Sequence, residues 1–97
     1  MIIIRVTHDD IKHGIKNECM RCPIARAIER HTGLTARVSG NELTVKLFAS
    51  RRDAANCRQE LIALKMTDPM IFFVSEFDRG YAVMPFAFDI DALTVLR

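Results

Sequence analysis

The segment from Pro23 to Gly33 constrains the fold more than any other part of the sequence. Its apolar positions recur at helical spacings of three, four and seven residues. The side chains that share this face are Ile24, Ala27, Ile28 and His31. Proline suits the first helical position, where its missing N–H costs no hydrogen bond, and glycine is a common residue just past a helix end. The segment therefore predicts an amphipathic helix with one face against a core.

Short strand and helix signals lie on both sides of this helix. Alternating apolar residues predict strands at 2–6 and 86–90, and a hairpin whose strands contain 36–38 and 43–47. Thr7 with Asp10, and Ser50 with Asp53, have the spacing of helix-capping pairs and predict helices at 8–13 and at about 51–65. These elements predict an α+β fold, with an antiparallel sheet of about four strands and two or three helices mainly on one face.

Two of the predicted helices carry expectations about single residues. In the helix at about 51–65, Cys57 lies on the apolar face and is expected in the core. The segment 68–79 begins with capping residues and a proline, which favours a helix over the alternative of a buried strand. As a helix with Phe73 and Phe77 inward, it points Phe72 outward as an anchor for a partner protein or a homodimer. If the helix is covered on both faces, Phe72 is a core residue instead.

Length and composition limit the chain to one domain over residues 1–97. With 49% apolar residues it is not disordered, and no apolar run approaches the roughly 20 residues of a membrane span. The N-terminus has no secretory signal, and three cysteines, an odd number, do not suit a disulfide framework. These features predict a cytoplasmic protein without membrane contact.

Charge is unevenly distributed along the chain. Residues 1–58 carry 11 basic and 6 acidic groups, whereas residues 59–97 carry 3 and 6. The basic groups of the predicted surface are Arg21, Arg26, Arg30, Arg37, Lys46, Arg51, Arg52 and Arg58. We expect Arg26, Arg30, Arg51, Arg52 and Arg58 to bind an acidic partner or nucleic-acid phosphates, the alternative being a surface that is only solvated. Reversal of Arg26, Arg30 and Arg52 to Glu is expected to leave folding nearly unchanged. Five of the six phenylalanines lie between residues 72 and 88, away from these arginines, so stacking on bases is not indicated.

The pair Cys19 and Cys22 is the one motif with a known chemistry. A structural zinc ion needs four ligands, and His13 is the nearest further candidate in sequence, but no second C-x-x-C pair is present. A redox role would place the first cysteine, not the second, at the helix start. Two packed thiols without metal are therefore expected. The sequence also lacks nucleotide-binding and zinc-protease motifs, so we expect neither a cofactor nor enzymatic activity.

Two segments resemble small uncharacterised proteins encoded by bacteriophages and prophages. Residues 17–27 resemble their C-x-x-C-P-I/V-A-x-A segment, and residues 77–88 resemble their closing F-D-x-G…P-F-x-F segment. Residues 6–14 also fit the start of these proteins. The resemblance implies an accessory protein of a mobile genetic element, which suggests an anti-CRISPR-like inhibitor that binds a host defence protein or ribonucleoprotein complex. The alternative is a small regulatory protein that binds nucleic acid or zinc.

Overall fold

The computed structural model describes residues 1–96 and contains four α-helices and five strands in that range. The helices are α1 (His8–His13), α2 (Pro23–Thr32), α3 (Arg51–Ala55) and α4 (Asp68–Asp78). The strands are β1 (Ile3–Val6), β2 (Thr35–Ser39), β3 (Thr44–Phe48), β4 (Ile62–Lys65) and β5 (Phe86–Asp89), followed by a 3₁₀ helix at Ile90–Ala92. Across the described residues, no helix has the length and apolar character needed to cross a membrane.

The strands form two antiparallel sheets. β1 pairs with β5, with Ile4 opposite Phe88, and β3 lies between β2 and β4 in a three-stranded sheet. Val95 adds an antiparallel bridge to Leu64, so the C-terminal segment covers the outer edge of β4. The predicted α+β class with antiparallel pairing is confirmed, and the strands are divided between two sheets.

Helix α2 joins the two sheets and is confirmed with the predicted boundaries. Ile24, Ala27 and Ile28 on its predicted inner face are completely buried, and the helix packs against β1 and β2. Cys22 is its N-cap and accepts a hydrogen bond from the backbone N–H of Ala25 at 3.4 Å, while Gly33 ends it with φ of +75°. His31 is exposed rather than buried, and its Nε2 accepts a hydrogen bond from the Arg5 N–H at 3.2 Å. This bond ties the last turn of α2 to β1.

Helix α1 is fixed against the start of α2. The Thr7 hydroxyl accepts from the Asp10 N–H, and the Asp10 carboxylate accepts from the Thr7 N–H, which confirms the predicted capping pair. A Cβ added to Gly14 would lie 2.7 Å from the Pro23 ring and 2.9 Å from the Asp10 carbonyl oxygen. Glycine is required here because the two helices approach so closely, and this approach forms one corner of the cleft described below.

The helix predicted at about 51–65 is wrong beyond its first turn. Ser50 caps the start as expected, but α3 ends at Ala55, and Cys57 turns the chain with φ of +51°. Residues 62–65 form β4 instead, because their backbone completes the hydrogen-bond ladder of β3. Cys57 is consequently exposed and not in the core, and Leu61 is 58% exposed.

Helix α4 confirms the helical alternative for residues 68–78. Its buried side chains are Met70, Phe73, Val74 and Phe77. The Phe73 ring packs on Phe86 of β5 with centroids 4.8 Å apart, which fixes α4 against the two-stranded sheet. Phe72 points away from this core and is 66% exposed.

Candidate functional site

A cleft of about 540 Å³ opens where α1, the loop 14–22, α2 and the start of α3 meet. Four arginines and three carboxylates line it, together with one histidine and two apolar side chains. The lining residues are Arg21, Arg26, Arg30, Arg51, Asp9, Asp10, Glu29, His13, Ile15 and Met20. Guanidinium groups are the dominant donors of this surface, so a ligand that fits it carries acceptor oxygens.

The Asp10 carboxylate is held in place because the residue is fully buried and both carboxylate oxygens accept hydrogen bonds. Its carboxylate accepts from the Thr7 N–H at 2.9 Å, from the Thr7 hydroxyl at 3.1 Å and from Nη1 of Arg30. Nη2 of Arg30 donates to the carbonyl oxygen of Arg5 at 2.7 Å. Arg30 therefore links α1, α2 and β1, and its guanidinium is held in one position.

The charge state of Asp10 follows from these contacts. Burial by itself raises the pKa of the carboxyl, but the hydrogen bonds from Arg30 and Thr7 and the positive charge of Arg30 outweigh burial and hold the pKa below its ordinary value of 3.8. Asp10 is thus a carboxylate at neutral pH. Arg30→Glu would remove the partner of a buried carboxylate and place a second carboxylate beside it, so, unlike the sequence-based expectation, we expect reversal of Arg30 to destabilise the fold.

Arg26 lines the same cleft, but its guanidinium group does not form a hydrogen bond with either neighbouring carboxylate. Its Nη2 lies 3.8 Å from Oδ2 of Asp9, and its Nε lies 3.9 Å from Oδ1 of Asp10. Both distances exceed those of a hydrogen bond. The Nε atom is buried and has no hydrogen-bond partner among residues 1–96. A guanidinium in this state gains hydrogen bonds when an acceptor enters the cleft.

The other charged side chains that line the cleft differ in the contacts they make. Arg51 donates to Oε1 of Glu29 at 2.7 Å, although its side chain is 69% exposed. Nδ1 of His13 lies 3.2 Å from Oδ1 of Asp9, whose side chain faces solvent. Arg21 is exposed and makes no ion pair within residues 1–96. Within residues 1–96, Arg21 and Arg26 are therefore the two cleft arginines whose guanidinium groups make no hydrogen bond.

The structure brings together some of the residues expected to bind a partner and separates others. Arg26, Arg30 and Arg51 line one cleft. Arg52 and Arg58 are exposed outside it, and the Arg58 N–H donates to the Asp53 carbonyl, which keeps Arg58 beside α3. Phe72 lies on α4 and does not line the cleft.

The residues considered as candidate metal ligands do not form one group. Cys19 and Cys22 line a second cleft beside β2 and α4, whereas His13 lines the arginine cleft. Residues 1–96 contain no group of three or more histidine, cysteine, aspartate or glutamate side chains placed to hold a metal ion. Burial raises the pKa of the Cys22 thiol to about 11, so this thiol is neutral and serves as the cap of α2.

Sequence reasoning treated Asp10 only as a helix-capping residue and missed its larger part in the cleft. The pair Asp10–Arg30 is separated by 20 residues, and it forms because α1 packs against α2. One signal for this pair was present in the sequence. Gly14 ends the first helix and Pro23 begins the second, so charged residues of the two helices can lie close together.

Comparison of the chain with family models, with curated proteins and with solved structures finds no match.

Proposed function

We propose that the protein is a non-enzymatic accessory protein of a bacteriophage or prophage that inhibits a host defence complex by binding to it. The observation that carries the proposal is the arginine-lined cleft, in which Arg21 and Arg26 keep unused donors. Guanidinium groups with free donors suit carboxylates and phosphates, which are the exposed anions of a ribonucleoprotein. The resemblance of residues 17–27 and 77–88 to phage-encoded proteins supports the same role.

The charge of the chain favours one mode of inhibition over another. A net charge of +2 does not suit a protein that imitates DNA with acidic groups. A basic face suits a protein that docks where guide RNA or a DNA-binding groove presents acidic groups. Such docking is sensitive to salt, because exposed charges are screened.

Phe72 supplies the apolar contact that a protein partner would use. An aromatic ring that is 66% exposed on a well-packed helix resembles the anchors that dominate many interfaces. Phe72 lies outside the arginine cleft, so we propose that the two features contact the target at separate points.

A plating assay tests the proposal. Bacterial strains that carry each type of CRISPR interference complex are infected with a targeted phage, with and without expression of the protein. We expect the protein to restore plating in one type of strain. A variant with Arg51→Glu, Arg52→Glu and Arg58→Glu should lose this protection, because these side chains are exposed and their reversal removes the attraction without affecting the core.

The matched control reverses three exposed basic residues elsewhere, with Lys12→Glu, Lys65→Glu and Arg79→Glu, so that the net charge is the same. The control variant should protect as the unchanged protein does. Failure of the protein to restore plating in any strain contradicts the inhibitor role. Equal protection by both variants contradicts the assignment of binding to the exposed arginines in and beside the cleft, Arg51, Arg52 and Arg58.

A further inference from the structure

We infer that the arginine-lined cleft binds the backbone phosphates of a nucleic-acid strand, with Arg21 and Arg26 as ligands and Asp9 as an internal competitor for Arg26. The inference deepens the proposed function and rests on it for the expectation that the target contains RNA. The shared acceptor is a phosphate oxygen, which guanidinium groups bind through paired hydrogen bonds.

The assignment of two ligands among four arginines follows from their present contacts. One donor of Arg30 is taken by Asp10 and another by the carbonyl oxygen of Arg5, and one donor of Arg51 is taken by Glu29, so both guanidinium groups are already anchored by the protein. Arg26 has only contacts of 3.8 and 3.9 Å and a buried Nε without a partner. A phosphate in the cleft would let the Arg26 guanidinium turn toward it and satisfy Nε. Arg21, on the loop 14–22, lines the same cleft.

Asp9 is the exposed carboxylate that an incoming anion would replace beside Arg26. Its side chain is 70% exposed, and its carboxylate lies beside both Arg26 and His13. An exposed carboxylate leaves its partner at little cost, since exposed ion pairs are weak. Asp9 therefore lowers the affinity for an anion without blocking the cleft, and its neutralisation should strengthen binding.

The surroundings of the cleft favour a strand over an isolated anion. Positive charge continues from Arg51 along α3 to Arg52, and Arg58 is held beside α3 by its bond to Asp53. A strand with regularly spaced phosphates can use charges both inside and outside the cleft. Within residues 1–96, no phenylalanine, tyrosine or tryptophan lines the cleft, so the contacts would be mainly to the backbone and independent of base sequence.

The test is a fluorescence anisotropy titration with a labelled single-stranded RNA of about twenty nucleotides at several salt concentrations. We expect Arg21→Ala and Arg26→Ala each to weaken binding roughly tenfold, and each to lower the slope of log affinity against log salt by about 0.7. Asp9→Asn should strengthen binding by roughly threefold or more, because the competitor for Arg26 is removed. Lys65→Ala, on the exposed side of β4, is the matched control and should bind as the unchanged protein does.

Circular dichroism of each variant confirms folding, and Arg21→Ala keeps the test valid if Arg26→Ala fails to fold, because Arg21 lies on an exposed loop. Inorganic phosphate and polyglutamate serve as competitors. The inference is overturned if Arg21→Ala and Asp9→Asn bind RNA as the unchanged protein does, or if polyglutamate or phosphate binds as tightly as RNA.

RNA binding in the cleft without protection in the plating assay would contradict the proposed function alone. Protection without RNA binding would contradict this inference alone.

Discussion

At the scale of single residues, Arg30 and Arg51 look alike in sequence but have different structural roles. Arg30 neutralises a carboxylate that is fully buried, whereas Arg51 pairs with Glu29 at the surface. Arg30→Ala should lower the free energy of unfolding by about 3 kcal/mol, because it leaves a buried charge without its partner. Arg51→Ala should change it by less than about 1 kcal/mol. Urea denaturation of both variants measures the difference, and equal effects would contradict the role given to Asp10.

The pH dependence of stability provides a second test at this scale. Because the pKa of Asp10 is lower in the folded chain than its ordinary value of 3.8, the ionised carboxylate stabilises the fold above that pH. This contribution is lost as the pH falls from about 3.8 through the folded pKa. The difference in unfolding free energy between the unchanged protein and Asp10→Asn should therefore be constant near neutral pH and shrink in acid. A difference that does not change with pH would show that the pKa of Asp10 is the same in the folded and the unfolded chain.

At the scale of helices and strands, α4 gives the clearest contrast between two neighbouring side chains. Phe77→Ala removes a buried ring and should destabilise the fold by about 3–5 kcal/mol. Phe72→Ala removes an exposed ring and should change stability by less than about 0.5 kcal/mol. Thermal melts of the two variants measure this. Similar large losses for both would mean that Phe72 is packed and unavailable as an anchor.

The same elements indicate what a sequence can and cannot specify. The caps of α1 and α2 are local, so Thr7, Pro23 and Gly33 marked their boundaries correctly. The apolar spacing of Leu61 and Leu64 fits a helix, so it did not indicate a strand. Residues 62–65 form a strand because β3 offers its edge, and that pairing is a long-range property. The division of the strands between two sheets is long-range in the same sense.

At the scale of the whole molecule, the uneven distribution of charge along the sequence corresponds to one region of the surface, the arginine-lined cleft. All residues that line the arginine cleft lie between positions 9 and 51, within the positively charged part of the sequence. The sequence predicted that these arginines share a surface, but it did not predict which of them are neutralised. That distinction depends on how α1, α2 and α3 meet, and within residues 1–96 it leaves Arg21 and Arg26 as the lining arginines whose guanidinium groups make no hydrogen bond.

The most direct test of this account is an NMR titration of the ¹⁵N-labelled protein with single-stranded RNA, which follows both the backbone amides and the arginine Nε–H signals. The account predicts that the largest changes occur at Nε–H of Arg26 and Arg21 and at amides of residues 20–30, while β4 and the exposed face of α4 stay unchanged. Changes concentrated around Phe72, or no change at Arg26, would contradict the claim that the arginine-lined cleft is the binding surface.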